Sequence, residues 1–511
     1  MKVPLTILDH LERAELIYGD RIAVIDELDQ PAESWGEITY TRMAELARAQ
    51  AAGLDRLGVG QGERVAVVSH NAARLLTSFF GVSAYGRVVV PVNFRLNAEE
   101  VGYIVEHSGA SVLLVDPELD EALSGVTAKH RFVMGASCDS ELYNFDAEPE
   151  PWDPDEDATG SINYTSGTTA RPKGVQITHR SLWLNAATFG WQMGVNDRDV
   201  YLHTLPMFHC NGWGMLYAVT GMGGRHIVLR KVDGAEILRR IDRHGVTLLC
   251  GAPAVAAAVL DAAASWDGPI PGRDRMRVVL AGAPPPTRTI ERIETELGWE
   301  FAQIYGLTET SPVLTMNRRR SEHDEMTPSQ NAELLSRAGA PALGVRIRVD
   351  EHGEVLARGN VVFEGYWDNP EATAEAIVDG WFHTGDGGVV DDGNYLTITD
   401  RKKDVIISGG ENVSSFEVED ALYSHPAVAE VAVIGVPHEK WGETVKALVV
   451  LTPGSTVTES DLIEHCRERI ARYKCPTSVE MRTELARTAT GKLQKFKLRV
   501  PYWEGRDRQV N

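Results

Sequence analysis

Short apolar runs bounded by polar or glycine-rich turns recur along the first two thirds of this 511-residue chain. Between them lie stretches whose apolar positions return every three or four residues. The first spacing predicts buried strands and the second amphipathic helices. Arg64 to Ser69 reads as a strand, Ala72 to Tyr85 as a helix, Val88 to Val92 as a strand, Ala98 to His107 as a helix and Ser111 to Val115 as a strand. After an acidic connector from Glu148 to Asp157 the alternation resumes with strands at Gly160 to Tyr164, Val175 to Thr178, His226 to Arg230, Val246 to Cys250, Arg277 to Ala281 and Glu300 to Ile304. Helices are predicted at Ala235 to His244, Val255 to Ala264 and Thr289 to Leu297. Repeated β-α-β order implies largely parallel sheets covered by helices on both faces.

From Gly344 to Asp400 the texture becomes β-rich, with Gly and Asp turns suited to a small, barrel-like β region. It changes again at Asp400-Arg401-Lys402-Lys403-Asp404. Beyond lie strands at Val405 to Ser408, Val431 to Val436 and Ala447 to Leu451, and helices at Phe416 to Tyr423 and Glu459 to Arg472. These last segments, about 110 residues, suffice for a separate small α+β domain. The fold class is therefore α/β, with a large N-terminal domain of several subdomains (1–400) and a small C-terminal domain (401–511).

Chemistry concentrates first between the strands at Gly160 and Val175. The turn Thr165-Ser166-Gly167-Thr168-Thr169-Ala170-Arg171-Pro172-Lys173-Gly174 offers four hydroxyls, two glycines and a lysine. Such a turn can aim backbone N–H groups and a cation at a polyphosphate. The same residue types build ordinary surface turns. Pro172 stands where the common P-loop spacing requires glycine, so this is not a Walker-type loop.

Composition narrows the classes. The formal net charge of −22 opposes a nucleic-acid surface. Positive charge gathers between Arg482 and Arg499, where Arg487, Lys492, Lys495 and Lys497 face only Glu484. A run of that kind is commonly a solvated face. Five scattered cysteines lack zinc or redox spacing and fit a reducing, cytoplasmic setting. The N-terminus has no signal-peptide pattern, and no apolar stretch is long enough to span a membrane.

The turn from Ser166 to Gly174 resembles the phosphate loop of the adenylate-forming superfamily, with Ala170 in place of the usual glycine. A backbone needing positive φ at Ala170 would be strained. Further stretches along the chain resemble the family's motifs in its order. Leu205 to Trp213 resembles the acyl-pocket segment, in which His209 would guard the passage between thiol and carboxylate. Without the family context His209 would read as a core histidine. Cys210, Gly212, Trp213 and Val313 would line the acyl cavity. Gly282-Ala283-Pro284 resembles the loop along the adenine. In Tyr305-Gly306-Leu307-Thr308-Glu309 the resemblance implies Tyr305 on the base, Thr308 on the α-phosphate and Glu309 on Mg²⁺, with Thr165 the second metal contact. His383-Thr384-Gly385-Asp386 resembles the ribose site, with Arg401 reaching in from the junction. Taken singly, these turns would be ordinary β-turns.

Arg401 to Asn412 resembles the family's hinge, at Lys403, followed by the loop Gly409-Gly410-Glu411 that lines the pantetheine tunnel. Lys440-Trp441 resembles a further CoA contact. Thr488-Ala489-Thr490-Gly491-Lys492 resembles the terminal motif whose lysine bridges carboxylate and α-phosphate. The resemblance implies an acyl-CoA synthetase using ATP, Mg²⁺ and coenzyme A, with a small C-terminal domain that rotates between half-reactions. The apolar residues around Cys210 lead to an expectation of a hydrophobic acid: medium- or long-chain fatty, aryl or bulky alicyclic. An acyl-AMP ligase serving a carrier protein or an amine, a luciferase-like oxygenase and a non-catalytic nucleotide binder stay open as alternatives. The expected partners are small molecules, with a homodimer as the assembly the reading admits.

Overall fold

The computed structural model describes residues 1–165, 171–401, 404–408, 411–438, 441–488 and 493–504. Strands rich in valine, leucine and isoleucine assemble into two large sheets. The first has nine strands, in the order Ala340–Pro341, Val313–Arg318, Glu300–Gly306, Arg277–Leu280, Leu248–Gly251, Val200–His203, Arg225–Val228, Ile22–Ile25 and Glu37–Thr39. Its six central strands are parallel. The second has seven: Gly365–Tyr366, Lys173–Thr178, Thr159–Thr165, Val88–Val92, Arg64–Val68, Ala110–Val115 and His130–Val133, the last five mutually parallel.

Every residue of the helix Ala73–Ser83 is buried. It shares one apolar core with strands of both sheets, as expected where helices separate parallel layers. The region after Ala342 forms a five-stranded antiparallel sheet from Arg346–Val349 to Leu396–Arg401. A last five-stranded sheet comprises Glu411–Val413, Ile406–Ser408, Gly442–Leu451, Val428–His438 and Ser478–Met481, with its own core around Ile406, Val433 and Leu462.

The predicted strands and helices are present, with shifts at their ends. The helix expected through Arg472 stops at Arg467, and the chain turns so that Ile470 and Cys475 reach the core of the last sheet. Pro476 just beyond disfavours a continuing helix. Among the described residues eight helices escape the apolar periodicity: Leu8–Tyr18, Tyr40–Arg56, Ala136–Leu142, His179–Gln192, Met215–Met222, Pro328–Leu335, Pro370–Ala376 and Lys495–Trp503. All five cysteines are buried and free. Among the described residues no helix is long and apolar enough to cross a membrane.

Candidate active site

The strands Thr159–Thr165 and Lys173–Thr178 form a hairpin in which Thr165 lies opposite Lys173. Ser166, Gly167, Thr168, Thr169 and Ala170, at its tip, lie outside the described residues. The Lys173 ammonium sits 4.8 Å from the centroid of the Tyr366 ring. Tyr366 extends the same sheet by pairing with Val175, and its hydroxyl donates to Glu309 Oε1 at 2.9 Å. The backbone of Glu309 is held too, its carbonyl accepting from Phe363 N at 2.8 Å. Hairpin, tyrosine and glutamate thus form one connected wall.

Glu309 belongs to the single turn Thr308–Thr310 that follows the strand Glu300–Gly306. Only glycine fits at 306, since a Cβ there would lie 1.6 Å from the Pro312 carbonyl oxygen. Glu309 keeps a partly open surface, yet the protein packed around its carboxyl pushes its pKa up, against the Tyr366 hydrogen bond and the Arg401 charge. The neighbouring Thr308 Oγ1 lies 3.2 Å from Cys210 Sγ, so this turn also touches the segment predicted to line the acyl pocket.

Tyr305, near the end of the same strand, donates its hydroxyl to Asp386 Oδ2 at 2.9 Å. Burial and the Asp386 charge raise the phenol's pKa, which keeps it a donor. Asp386 is directly opposite Arg401 on antiparallel strands, with Arg401 Nε 3.6 Å from Asp386 Oδ1. Glu354 shapes the turn before Asp386: its carboxylate accepts from Gly385 N at 2.9 Å and lies 3.3 Å from His383 Nδ1. Gly282, Ala283 and Pro284 follow the adjacent parallel strand Arg277–Leu280, in register with Glu300–Gly306. Gly282 takes a φ of 87°, favourable to glycine. These groups collect beyond the carboxyl ends of parallel strands, where open α/β sheets bind ligands.

The segment around Cys210 has a backbone that apolar patterning did not foretell. Cys210, Asn211, Gly212 and Trp213 are consecutive left-handed residues, with φ from 47° to 58°. Three of them are not glycine, a conformation that costs energy and needs support. Buried amides supply it. Asn163 Nδ2 donates to Asn211 Oδ1 at 3.0 Å, and Asn211 Nδ2 to Ser161 Oγ at 2.8 Å. Asn185 donates to the Trp213 carbonyl at 3.0 Å and accepts from Val313 N at 3.1 Å. It therefore fixes Trp213 and Val313, two predicted pocket residues, relative to each other. Cys210, Gly212, Trp213 and Val313 are buried and His209 is half-buried. Burial pushes the Cys210 thiol up to about 12, so it is no nucleophile at neutral pH.

On the last sheet, Ser408 pairs with both Glu411 and Gly442. Glu411 and Trp441, two predicted CoA contacts, therefore occupy one edge, and Trp441 stacks on His438 with centroids 4.5 Å apart. Gly409, Gly410 and Lys440 lie outside the described residues. So do Lys403, the predicted hinge, and Lys492. Arg487 and Leu493, on either side of Lys492 in sequence, pair in an antiparallel bridge. The last sheet's helix Ser415–Tyr423 meets the larger body where Asp420 Oδ1 accepts from Thr287 N at 2.9 Å.

Sequence reasoning missed Tyr366, Glu354 and the asparagines 163, 185 and 211. A tyrosine between glycine and tryptophan, or a lone asparagine in a strand, has no local pattern to distinguish it.

Profiles of known families agree with this arrangement. Residues 11–367 match the AMP-binding enzymes, and residues 417–492 match the AMP-binding enzyme C-terminal domain. The chain belongs to the AMP-binding enzymes, the adenylate-forming family its motifs resemble, and among them to the AMP-forming acid–CoA ligases. It is 37% identical to a 2-methylpropanoate–CoA ligase of Humulus lupulus, across 97% of this chain and 95% of that one. It is 36% identical to a 4-hydroxybutyrate–CoA ligase of Metallosphaera sedula, across 97% and 94%. Among solved structures, an anthranilate CoA ligase in complex with anthranoyl-AMP superimposes with a TM-score of 0.88 at 28% identity, covering 98% of this chain and 99% of that one.

Proposed function

We propose that this enzyme activates a short, hydrophobic carboxylic acid of about four carbons and transfers its acyl group to coenzyme A in the cytoplasm, the two steps sharing one site. The observation that supports this best is the continuous set Lys173–Tyr366–Glu309–Thr308–Cys210, which joins the hairpin proposed to hold the polyphosphate to the buried segment proposed to line the acyl site. In the first step a carboxylate oxygen attacks the α-phosphorus of ATP. A new P–O bond forms, the bond to pyrophosphate breaks, and acyl-AMP remains. In the second step the CoA sulfur attacks the acyl carbon and AMP leaves. Converting a poor electrophile into a mixed anhydride is what adenylyl transfer from ATP supplies.

The assigned roles are those implied by the resemblance of these motifs to the family's. Thr165, Ser166, Gly167, Thr168, Thr169 and Lys173 hold the β- and γ-phosphates. Gly282, Ala283, Pro284, Tyr305 and Gly306 frame the adenine, while Asp386 and Arg401 take the ribose hydroxyls. Glu309 and Thr165 suit Mg²⁺, which commonly binds through one or two protein oxygens plus substrate phosphates. When bound, the ion offsets charge on the triphosphate. Thr308 contacts the α-phosphate, and Lys492 bridges it to the carboxylate, stabilising charge as the two anions meet. Rotation of the 401–511 domain about Lys403 then withdraws Lys492 and brings Gly409, Gly410, Glu411, Lys440 and Trp441 toward CoA, past His209.

The names of relatives favour a smaller acid than the medium- or long-chain fatty, aryl or bulky alicyclic acid expected from the sequence. The full-length relatives are named for 2-methylpropanoate and 4-hydroxybutyrate. The test is a panel of straight, branched and aryl acids from acetate upward, with CoA, carrier protein and amines as acceptors, read by mass spectrometry. Thioesters of CoA formed fastest with four-carbon acids are expected. Preference for long-chain or aryl acids would overturn the size assignment, and exclusive amine or carrier adducts would overturn the acceptor.

A further inference from the structure

Lys495 stands apart from the rest of the basic run around it. Its side chain is buried, and its ammonium lies 2.7 Å from Glu419 Oε1. It also donates to Ser415 Oγ and sits 4.7 Å from the centroid of the Phe416 ring. A buried lysine is costly unless its donors are paired, and here the helix Ser415–Tyr423 provides all of these contacts. Ser415 passes the connection on: its hydroxyl donates to Asp400 Oδ2 at 2.6 Å and its N–H to the same oxygen at 2.8 Å. Asp400 is fully buried and precedes Arg401, the residue that faces Asp386. Lys495 itself follows directly on the bridge Arg487–Leu493 and the hydrogen bond from Gln494 N to Ala486 O at 2.8 Å. Arg499, one helical turn on, pairs with Asp404 at 2.8 Å. The segment after Lys492 is thus pinned at two points to residues flanking the junction.

We propose that Lys495 is a positioning residue for adenylation, fixing the chain that follows Lys492 through Glu419, Ser415 and Asp400. This rests on the role assigned above to Lys492. Loss of the anchor leaves Lys492 attached but no longer held where its charge is needed, and a displacement near 1 Å can cost about 10²-fold in rate.

The test compares ATP–pyrophosphate exchange with thioester formation from supplied acyl-adenylate and CoA, in Lys495→Met, Lys495→Arg, Glu419→Gln and a Lys492→Ala control. Lys495→Met is expected to lower the kcat of exchange by about 10²-fold while leaving the KM for ATP and thioester formation near those of the parent enzyme. Lys495→Arg should recover part of the loss. An equal fall in both half-reactions, or unchanged exchange, would overturn the proposal. If Lys495→Met fails to fold, Glu419→Gln keeps the lysine, replaces its partner by an isosteric amide, and decides by the same ratio. Retained exchange in Lys492→Ala would remove the role of Lys492 itself. Lost exchange in that control with intact exchange in the Lys495 and Glu419 variants would remove only the positioning claim.

Discussion

Asp386 and Arg401 face each other across two antiparallel strands, 3.6 Å apart, while the Tyr305 hydroxyl holds the other oxygen of the same carboxylate. The pair joins the last strand before the junction to the strand end that carries Tyr305. A nucleotide bound there would touch both the large sheet and the start of the C-terminal segment.

Replacing Asp386 by Asn removes the charge proposed to accept both ribose hydroxyls. Hydrogen bonds to charged groups contribute about 1.5–3 kcal/mol, so the KM for ATP should rise roughly 10- to 100-fold. Initial-rate exchange assays at varied ATP measure this directly.

The Tyr366 hydroxyl lowers the pKa of Glu309, which burial otherwise raises. The ionised form is the one suited to Mg²⁺, so adenylation should be present above the Glu309 pKa and lost as pH falls through it. Because that pKa is raised, the acid limb should lie above the usual carboxylate range. Tyr366→Phe removes the lowering contact and should shift the limb to higher pH. The check is the pH dependence of exchange at limiting Mg²⁺.

Asn211 supports the left-handed turn beside Cys210 through Asn163 and Ser161. Asn211→Ala removes one contact from each of those buried groups, leaving Asn163 only the Phe208 carbonyl to donate to and Ser161 only Asn163, and puts alanine at positive φ. A destabilisation of about 2–4 kcal/mol is expected, together with a higher KM for the acid. Denaturant unfolding and acid-saturation curves report the two effects.

Proline at 403 restricts the backbone on which domain rotation is proposed to turn. Lys403→Pro should retain pyrophosphate exchange and lose thioester formation. Stopped-flow measurement of each half-reaction separates them.

The strands around the site were readable because β-branched runs bounded by turns have few other uses, as at Val88–Val92 and Arg277–Leu280. Their carboxyl ends then pointed to Gly282, Tyr305 and Glu309. Helices such as Tyr40–Arg56 and Met215–Met222 were hidden, the first because alanine gives its faces little contrast, the second because it is apolar on nearly every side. The supports of the site were harder to see. Asn163 and Asn211 are 48 residues apart, and Lys495 and Ser415 are 80 apart. No local period links such partners, so only the folded chain reveals that an amide props the left-handed turn at Cys210 and that Lys495 in the basic tail is buried.

The central claim is that one lysine serves only the first half of the reaction. Lys492→Ala, assayed for exchange and for thioester formation from supplied acyl-adenylate, tests it most directly. Exchange should fall by about 10²- to 10³-fold, as when one preorganised charge-stabilising group is removed, with thioester formation largely retained. Equal loss of both half-reactions, or unaltered exchange, would contradict it.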